Sequence, residues 1–115
     1  MILLSSKKNI NMQMQNIFVH HVFFYLNHSD AANTQSLVEG LNKLAKASII
    51  KESHIGIPAN TQRDVVDNSY DVSWLAFFNN AEEQESYQTD PIHLQFIKEC
   101  SYLWKKVIVF DSVNA

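Results

Sequence analysis

Cysteine, glycine and proline are all scarce in this sequence of 115 residues, which has one, two and two of them. The lone cysteine, Cys100, cannot form an internal disulfide, and cytoplasmic residence is the simplest interpretation. With only Gly40 and Gly56, a glycine-rich phosphate-binding loop is excluded. Paired cysteines, the His-x₃-His spacing and an acidic calcium loop are also missing, so the sequence predicts no metal site.

Long basic runs and long apolar runs are missing as well. Nine Lys and Arg face twelve Asp and Glu, and the largest basic blocks are Lys7–Lys8 and Lys105–Lys106. This charge pattern argues against a nucleic-acid interface. No apolar run approaches the roughly 20 residues of a membrane span, and the first lysines follow a short apolar run, the reverse of a signal peptide. The 46% hydrophobic content predicts one globular domain.

Residues 1–15 stand apart from the rest of the chain, because they show no sustained hydrophobic period. They are expected to form a loose N-terminal extension, and the alternative is an arm that packs on a partner. Met12 and Met14 come just before the first predicted strand, so one interpretation places the start of translation at one of these two methionines. The domain itself is assigned to residues 16–113.

The domain alternates strand patterns with helical ones. An amphipathic stripe, with Leu37, Leu41 and Leu44 on it, predicts a helix capped by Ser29 or Asp30. Asn80 is predicted to cap a short acidic helix. Asp90-Pro91 is predicted to start a further helix. The buried stripe of that helix is predicted to contain His93, Phe96, Ile97, Cys100, Leu103 and Trp104. Strands are predicted over residues 16–27, 48–57, 70–79 and 105–113, with an exposed loop at 58–69.

The resulting order, β-α-β-β-α-β, predicts an α+β ferredoxin-like fold with a four-stranded antiparallel sheet. In that fold the helices cover one face of the sheet and leave the other open. The strand sequences are apolar on both faces, so the open face would be a large apolar patch. We therefore expect a second copy of the chain to cover it, giving a homodimer.

Three stretches together resemble the stress-responsive A/B barrel domain family, usually called Dabb. They are FVHHVFFYLN, YDVSWLAFFNNAEEQESYQTDPIHLQFI and WKKVIVFD, and the resemblance covers residues 16–113. The sequence departs from the family in two places: Asp90 replaces the first histidine of His-Pro-x-His, and a Pro-Gly before the second strand is missing. The resemblance implies a dimeric α+β barrel in which two sheets pack face to face.

One branch of that family includes the plant polyketide cyclase that makes olivetolic acid, an enzyme without a cofactor. The resemblance implies a pocket between sheet and helices in which His93 is the general base and Tyr70 donates a hydrogen bond to the developing enolate oxygen. It also implies a pocket lined by Phe96, Trp104, Val107 and Val109. Burial of His93 is expected to lower its pKa, which keeps the ring neutral and basic.

The adjacent histidines His20 and His21 must point to opposite faces of their strand, because side chains alternate. We expect His20 to face the partner sheet. His21 is expected to face the helix that carries His93, as a polar group of the pocket, with Phe23 and Tyr25 on the same strand face as ligand contacts. Three interpretations stay open: catalysis without a cofactor, binding of a small apolar or aromatic ligand without turnover, and a purely structural role.

Overall fold

A computed structural model describes residues 16–115 of the chain, and the expectations for residues 1–15 lie outside that range. Four strands and three α-helices follow one another in the predicted order. They are β1 (Phe18–Leu26), α1 (Ala31–Leu44), β2 (Glu52–Gly56), β3 (Val72–Phe78), α2 (Ala81–Tyr87), α3 (Pro91–Cys100) and β4 (Trp104–Val113), with a 3₁₀ turn at Ser101–Leu103 before β4.

Each helix begins at a polar side chain that was identified from the sequence. Asp30 Oδ1 accepts a hydrogen bond from the Asn33 backbone N–H, and Asn80 Oδ1 accepts one from the Glu83 N–H, both at 2.8 Å. Asp90 Oδ1 accepts from the Ile92 N–H at 2.8 Å, and Pro91 occupies the first helical turn. These side chains satisfy N–H groups that have no partner within the helix, so local chemistry sets the helix starts.

The strands form one antiparallel sheet in the order β2-β3-β1-β4. β1 lies in the middle, where His20 is opposite Ala76 of β3 and Asp111 of β4. The next residue, His21, is opposite Leu75 and Phe110. Directly opposed residues share a face of the sheet, so the register separates the two histidines and their neighbours into two sets.

The helices pack on one face of the sheet, which we call the helix side. From β1 this face takes His20, Val22, Phe24 and Leu26, all buried. Leu41 of α1 and Phe96 of α3 complete the core above them. α1 and α3 approach closely at Gly40, where an added Cβ would collide with the Cys100 sulfur. The predicted fold class is thus confirmed, and Cys100 is part of the core as expected.

Within the part of the chain that the structure describes, no helix covers the other face of the sheet, which we call the open side. Its residues from β1 are Val19, His21, Phe23 and Tyr25, each half-buried within the single chain. Phe110 of β4 lies on the same face and is 64% exposed. An aromatic surface is therefore left partly in solvent.

Within residues 16–115, no helix has the length and apolar character needed to cross a lipid bilayer.

Candidate functional site

A cavity of about 380 Å³ lies on the helix side, between the sheet and the segment that joins α2 to α3. Its walls are mostly apolar and include the four predicted lining residues Phe96, Trp104, Val107 and Val109. The complete lining is His20, Val22, Phe24, Leu44, Trp74, Gln84, Glu85, Tyr87, Gln88, His93, Phe96, Ile97, Trp104, Val107, Val109 and Asp111. An apolar cavity with a few grouped polar side chains is the usual form of a small-molecule site.

His93 lies in this cavity, where the resemblance to the family implied it would be. Its Nδ1 is 3.2 Å from the backbone carbonyl oxygen of Gln88. Because a carbonyl can only accept, the Nδ1–H is the donor, and the lone pair of the neutral ring is on Nε2. Burial lowers the pKa of His93, the bond to Gln88 opposes that effect, and the charge of nearby His20 adds to it. The ring is therefore held as a neutral base, in the predicted direction.

His20 is the second histidine of the cavity, where the sequence placed His21. The residue is 8% exposed, and its Nδ1 lies 2.6 Å from Oδ1 of Asp111 on the neighbouring strand. The pairing of β1 with β4 creates this contact, because the two residues are directly opposite each other. A carboxylate can only accept, so the Nδ1–H of His20 is the donor in this contact.

Tyr87, the last residue of α2, lies beside both histidines. Its ring centroid is 4.5 Å from that of His93 and 6.0 Å from that of His20. Burial raises the pKa of Tyr87 far above its ordinary value, and the nearby Trp74 indole N–H only partly opposes the rise. The phenol therefore keeps its proton at neutral pH and is available as a hydrogen-bond donor.

The expectation that His21 faces α3 is wrong. His21 lies on the open side with its ring 4.3 Å from that of Phe23, and burial together with the charges of His54 and His20 lowers its pKa. Conversely, His20 faces the helices and not a partner sheet. Alternation along β1 correctly separated the two histidines, but both faces are apolar, so alternation alone did not indicate which one the helices cover.

Tyr70, Phe23 and Tyr25 are also outside the cavity. The Tyr70 ring packs edge-on against Phe23 at 5.0 Å, on the open side. Tyr25 lies under the Lys106 ammonium, which is 4.6 Å from the ring centroid. The sheet therefore separates Tyr70 and His21 from His93, and the predicted triad of His93, Tyr70 and His21 is not assembled within one chain.

Sequence reasoning missed His20, Asp111, Tyr87 and Trp74 as members of the site. Two signals point to them. Tyr87 and His93 flank the Asp90-Pro91 helix start, where the chain turns and the Asp90 N–H donates to the Tyr87 carbonyl at 3.1 Å. Asp111 directly follows the apolar run Val107–Phe110 of β4, a pattern that marks a polar group with a partner on the covered face.

Among the described residues, no group of three or more His, Cys, Asp or Glu side chains is arranged to hold a metal ion. Cys100 is buried against Gly40, and burial raises its pKa, so its thiol is poorly suited to act as a nucleophile.

The model of the Stress responsive A/B Barrel Domain matches residues 18–114. No protein of curated function matches the chain in sequence. Among solved structures, a hydroxynitrile lyase from Passiflora edulis is similar at a TM-score of 0.73 and 17% identity, over 89% of this chain and 96% of that one.

Two further structures have the same fold. A Dabb family protein with a ferredoxin-like fold from Mesorhizobium loti gives a TM-score of 0.70 at 18% identity, over 88% of this chain and 99% of that one. A dimeric ferredoxin-like protein of unknown function from Thermobifida fusca gives 0.69 at 16% identity, over 93% of this chain and 100% of that one.

Proposed function

The chain belongs to the stress-responsive A/B barrel domain family, and from this premise we propose that it is a homodimeric protein that binds a small, mostly apolar molecule in the cavity. One observation carries the proposal: apolar walls surround about 380 Å³ next to His20, Tyr87 and His93, which approach one another there. Cytoplasmic residence belongs to the proposal, because a lone buried thiol suits a reducing compartment.

The cavity supports ligand binding more than a purely structural role. The cavity opens to solvent beside Val107 and Val109, which are 40% and 44% exposed, so a small molecule can enter it from the surface. Here the space is large enough for a molecule of two fused or linked rings, and its polar groups are buried beside it.

Binding can be tested with the neutral fluorescent probe N-phenyl-1-naphthylamine. We expect saturable fluorescence enhancement with the wild-type chain. Val109→Phe narrows the cavity at the β4 wall and is expected to weaken binding by about 5-fold or more, since it fills space with a larger side chain. The matched control is Val113→Phe, on the same strand face but outside the cavity lining. Equal affinity in the two variants would contradict the cavity as the site.

The homodimer is supported by the open side of the sheet. A half-exposed aromatic face is unusual on a monomer, and a second copy of the same face would cover it. The Thermobifida fusca structure is described as dimeric, and so is a ferredoxin-like protein of unknown function from Bacteroides fragilis. Pairing of the open sides leaves each cavity in its own chain, between the sheet and the helices.

Light scattering at micromolar concentration tests the dimer. We expect the wild type to have twice the mass of one chain, and Phe110→Glu to weaken association by about 100-fold or more by placing a charge in the apolar interface. Val113→Glu is the control, because Val113 is equally exposed, at 64%, but lies on the helix side of the same strand. A wild-type monomer at this concentration would refute the homodimer.

A second candidate function, proton transfer without a cofactor, is favoured by the fixed tautomer of His93. The Gln88 carbonyl holds Nδ1–H, so Nε2 is the atom that accepts a proton from carbon. As the C–H bond breaks, its electron pair forms a C=C bond to the carbonyl carbon and the π pair of the carbonyl moves to the oxygen, giving an enolate that the Tyr87 hydroxyl stabilises. The Passiflora edulis neighbour, which is a lyase, supports catalysis on this fold.

Exchange of the methyl protons of acetophenone in D₂O, followed by proton NMR, tests this candidate. We expect the wild type to exceed the buffer rate and His93→Gln to reduce the protein-dependent rate by about 100-fold or more. His21→Gln is the matched control, since His21 is on the open side and should leave the rate unchanged. A wild-type rate equal to that of buffer would reject catalysis for this ketone and leave ligand binding as the function.

A further inference from the structure

Gln84 is a polar residue on the inward face of α2. Gln84 and Tyr87, one helical turn apart, are the buried residues of this helix, whereas Glu85 and Ser86 between them are exposed. The inward positions of an amphipathic helix are usually apolar. A glutamine at such a position calls for an explanation, because burying an amide costs free energy unless hydrogen bonds compensate for it.

The Gln84 side chain has no such compensation among residues 16–115. Its backbone N–H donates to the Asn80 carbonyl oxygen at 3.3 Å, but its side-chain amide makes no hydrogen bond to a described residue. The residue is 9% exposed, and its amide atoms keep some accessible surface, unlike the fully covered indole Nε1 of Trp74. The amide is therefore unpaired, and a small molecule can reach it.

The space next to this amide is the cavity. Gln84 is part of the cavity lining, which also includes His20 and Asp111 from the sheet and His93 from α3. Because the residue faces the sheet and borders the cavity, a molecule in the cavity is the partner that its amide can bond. Buried polar groups in native proteins are nearly always paired, and a ligand would supply the missing partner.

The chemistry of the amide restricts what that ligand is. A carboxamide carries a donor, the NH₂ group, beside an acceptor, the carbonyl oxygen. The N–H and C=O groups of a lactam match this arrangement with one accepted and one donated hydrogen bond. Among the described residues that line the cavity, Glu85 and Asp111 are acidic and none is Lys or Arg. An anionic ligand would thus be desolvated without a cationic partner, which favours a neutral one.

We propose that the Gln84 side chain is a recognition group of the cavity and binds a neutral lactam with an apolar body through two hydrogen bonds. The inference rests on the proposed ligand-binding function and adds the ligand class and a residue that selects it. Gln84 is a specificity residue in this scheme, and the apolar walls accommodate the rest of the molecule.

The test compares 2-quinolone, a neutral bicyclic lactam, with N-methyl-2-quinolone, which has the same body but no N–H. Isothermal titration calorimetry of the full chain measures both affinities. We expect the wild type to bind 2-quinolone about 5-fold or more tightly than the methylated compound. Gln84→Met replaces the amide with an apolar group of similar length, so 2-quinolone should bind about 10-fold more weakly and N-methyl-2-quinolone should change by less than about 2-fold.

The matched control is Gln35→Met, the same substitution on α1 outside the cavity lining. Gln35 is exposed, and its Nε2 donates to Glu39 Oε2 at 3.2 Å. This variant should leave both affinities unchanged. A comparable loss of 2-quinolone binding in Gln35→Met would mean that the effect of Gln84→Met is not specific to the cavity, and would overturn the assignment.

Stability of the chain without ligand gives a second readout. Gln84→Met should raise the urea midpoint of unfolding, because an unpaired buried amide gives way to an apolar side chain. Gln35→Met should change the midpoint little, since the residue is exposed. A lower midpoint for Gln84→Met would show that the amide stabilises the fold, and would overturn the inference that it awaits a ligand.

The outcomes separate this inference from the proposed function. If neither N-phenyl-1-naphthylamine nor 2-quinolone binds, ligand binding in the cavity is refuted and the role of Gln84 with it. If N-phenyl-1-naphthylamine binds but 2-quinolone does not, or if Gln84→Met weakens both quinolones equally, the recognition role of Gln84 alone is refuted. The anion 2-naphthoate is expected to bind more weakly than 2-quinolone, and tighter binding would overturn the assignment to neutral ligands.

Discussion

The two sides of the sheet are built from similar residues but differ in burial. On the helix side, His20 and Phe24 are buried beneath the helices, and His20 is paired with Asp111. On the open side, the neighbouring residues His21 and Phe23 stack on each other and stay half-buried. One step along the backbone thus separates a cavity residue from a surface residue.

This contrast shows that apolar character alone does not identify a core. Each side carries aromatic and branched residues, but α1 and α3 cover only one of them. The covered side contains the unfilled space and the paired polar groups, which are features of a ligand site. Among residues 16–115 nothing comparable covers the open side, and its continuous apolar surface suits a second copy.

The largest expected change in the free energy of unfolding comes from truncating one of the phenylalanines Phe23 and Phe24 to alanine. Phe24→Ala removes a fully buried ring and should lower the free energy of unfolding by about 3–5 kcal/mol. Phe23→Ala should lower it by about 1 kcal/mol at low protein concentration, because the ring is only half-buried in one chain. Urea unfolding followed by circular dichroism measures both values.

Measuring Phe23→Ala and Phe24→Ala at higher protein concentration separates the two sides of the sheet further. The effect of Phe23→Ala should then grow, since association buries that ring, while that of Phe24→Ala should not. Equal losses at low concentration would mean that the two sides are equally buried, contrary to the assigned faces.

A smaller loss of stability is expected from breaking the contact between His20 and Asp111 on the helix side. Asp111→Asn keeps the shape but removes the charge that holds His20, and it should cost about 1 kcal/mol because the carboxylate is 40% exposed. Ser112→Ala, one residue along on the open side, should change stability by less than about 0.5 kcal/mol. Urea midpoints at pH 7.5 compare the two, and a larger loss for Ser112→Ala would contradict the importance of the pair.

The smallest effect concerns pH and involves one histidine on each side. The pKa values of His93 and His21 are both lowered from 6.5, chiefly by burial. The unfolded chain therefore binds protons more readily than the folded chain. The contribution of these two histidines to the free energy of unfolding is fully present above about pH 6.5 and is lost as the pH falls below that value. Urea unfolding at pH 7.5 and pH 5.0 should show the decline.

Replacing one histidine at a time shows how much of this pH dependence comes from each side of the sheet. His93→Gln and His21→Gln should each reduce the difference in stability between the two pH values, relative to wild type. If association buries His21, its share should grow with protein concentration while that of His93 stays constant. A chain that is more stable at pH 5.0 would contradict the sign of both pKa shifts.

The sequence predicted most of the fold because the deciding chemistry is local. Asp30, Asn80 and Asp90 start helices through bonds to residues two or three positions away, and such bonds are visible in a short window. The order of elements and the open face followed from hydrophobic periods. The lining residues on α3 and β4 were expected from the resemblance to the family and not from hydrophobic periods, and these residues do border the cavity.

The membership of the site was harder to predict, because it depends on contacts distant in sequence. His20 pairs with Asp111 across 91 positions, and nothing near either residue indicates the pairing. The assignment of Tyr70 as a donor failed because its ring packs against Phe23 on the open side of the sheet, away from His93. Tyr87 ends a helix of only seven residues, which is too short for its period to indicate a buried face.

The position of β4 at the sheet edge has a consequence for how this family can diversify. Val107 and Val109 form one wall of the cavity, yet they are 40% and 44% exposed, so they contribute little to the packed core. Replacing them reshapes the cavity at small cost in folding free energy, whereas the opposite wall is part of the core and tolerates little change. Ligand preference and stability are thus encoded in largely separate residues, so that one can evolve, or be engineered, without loss of the other.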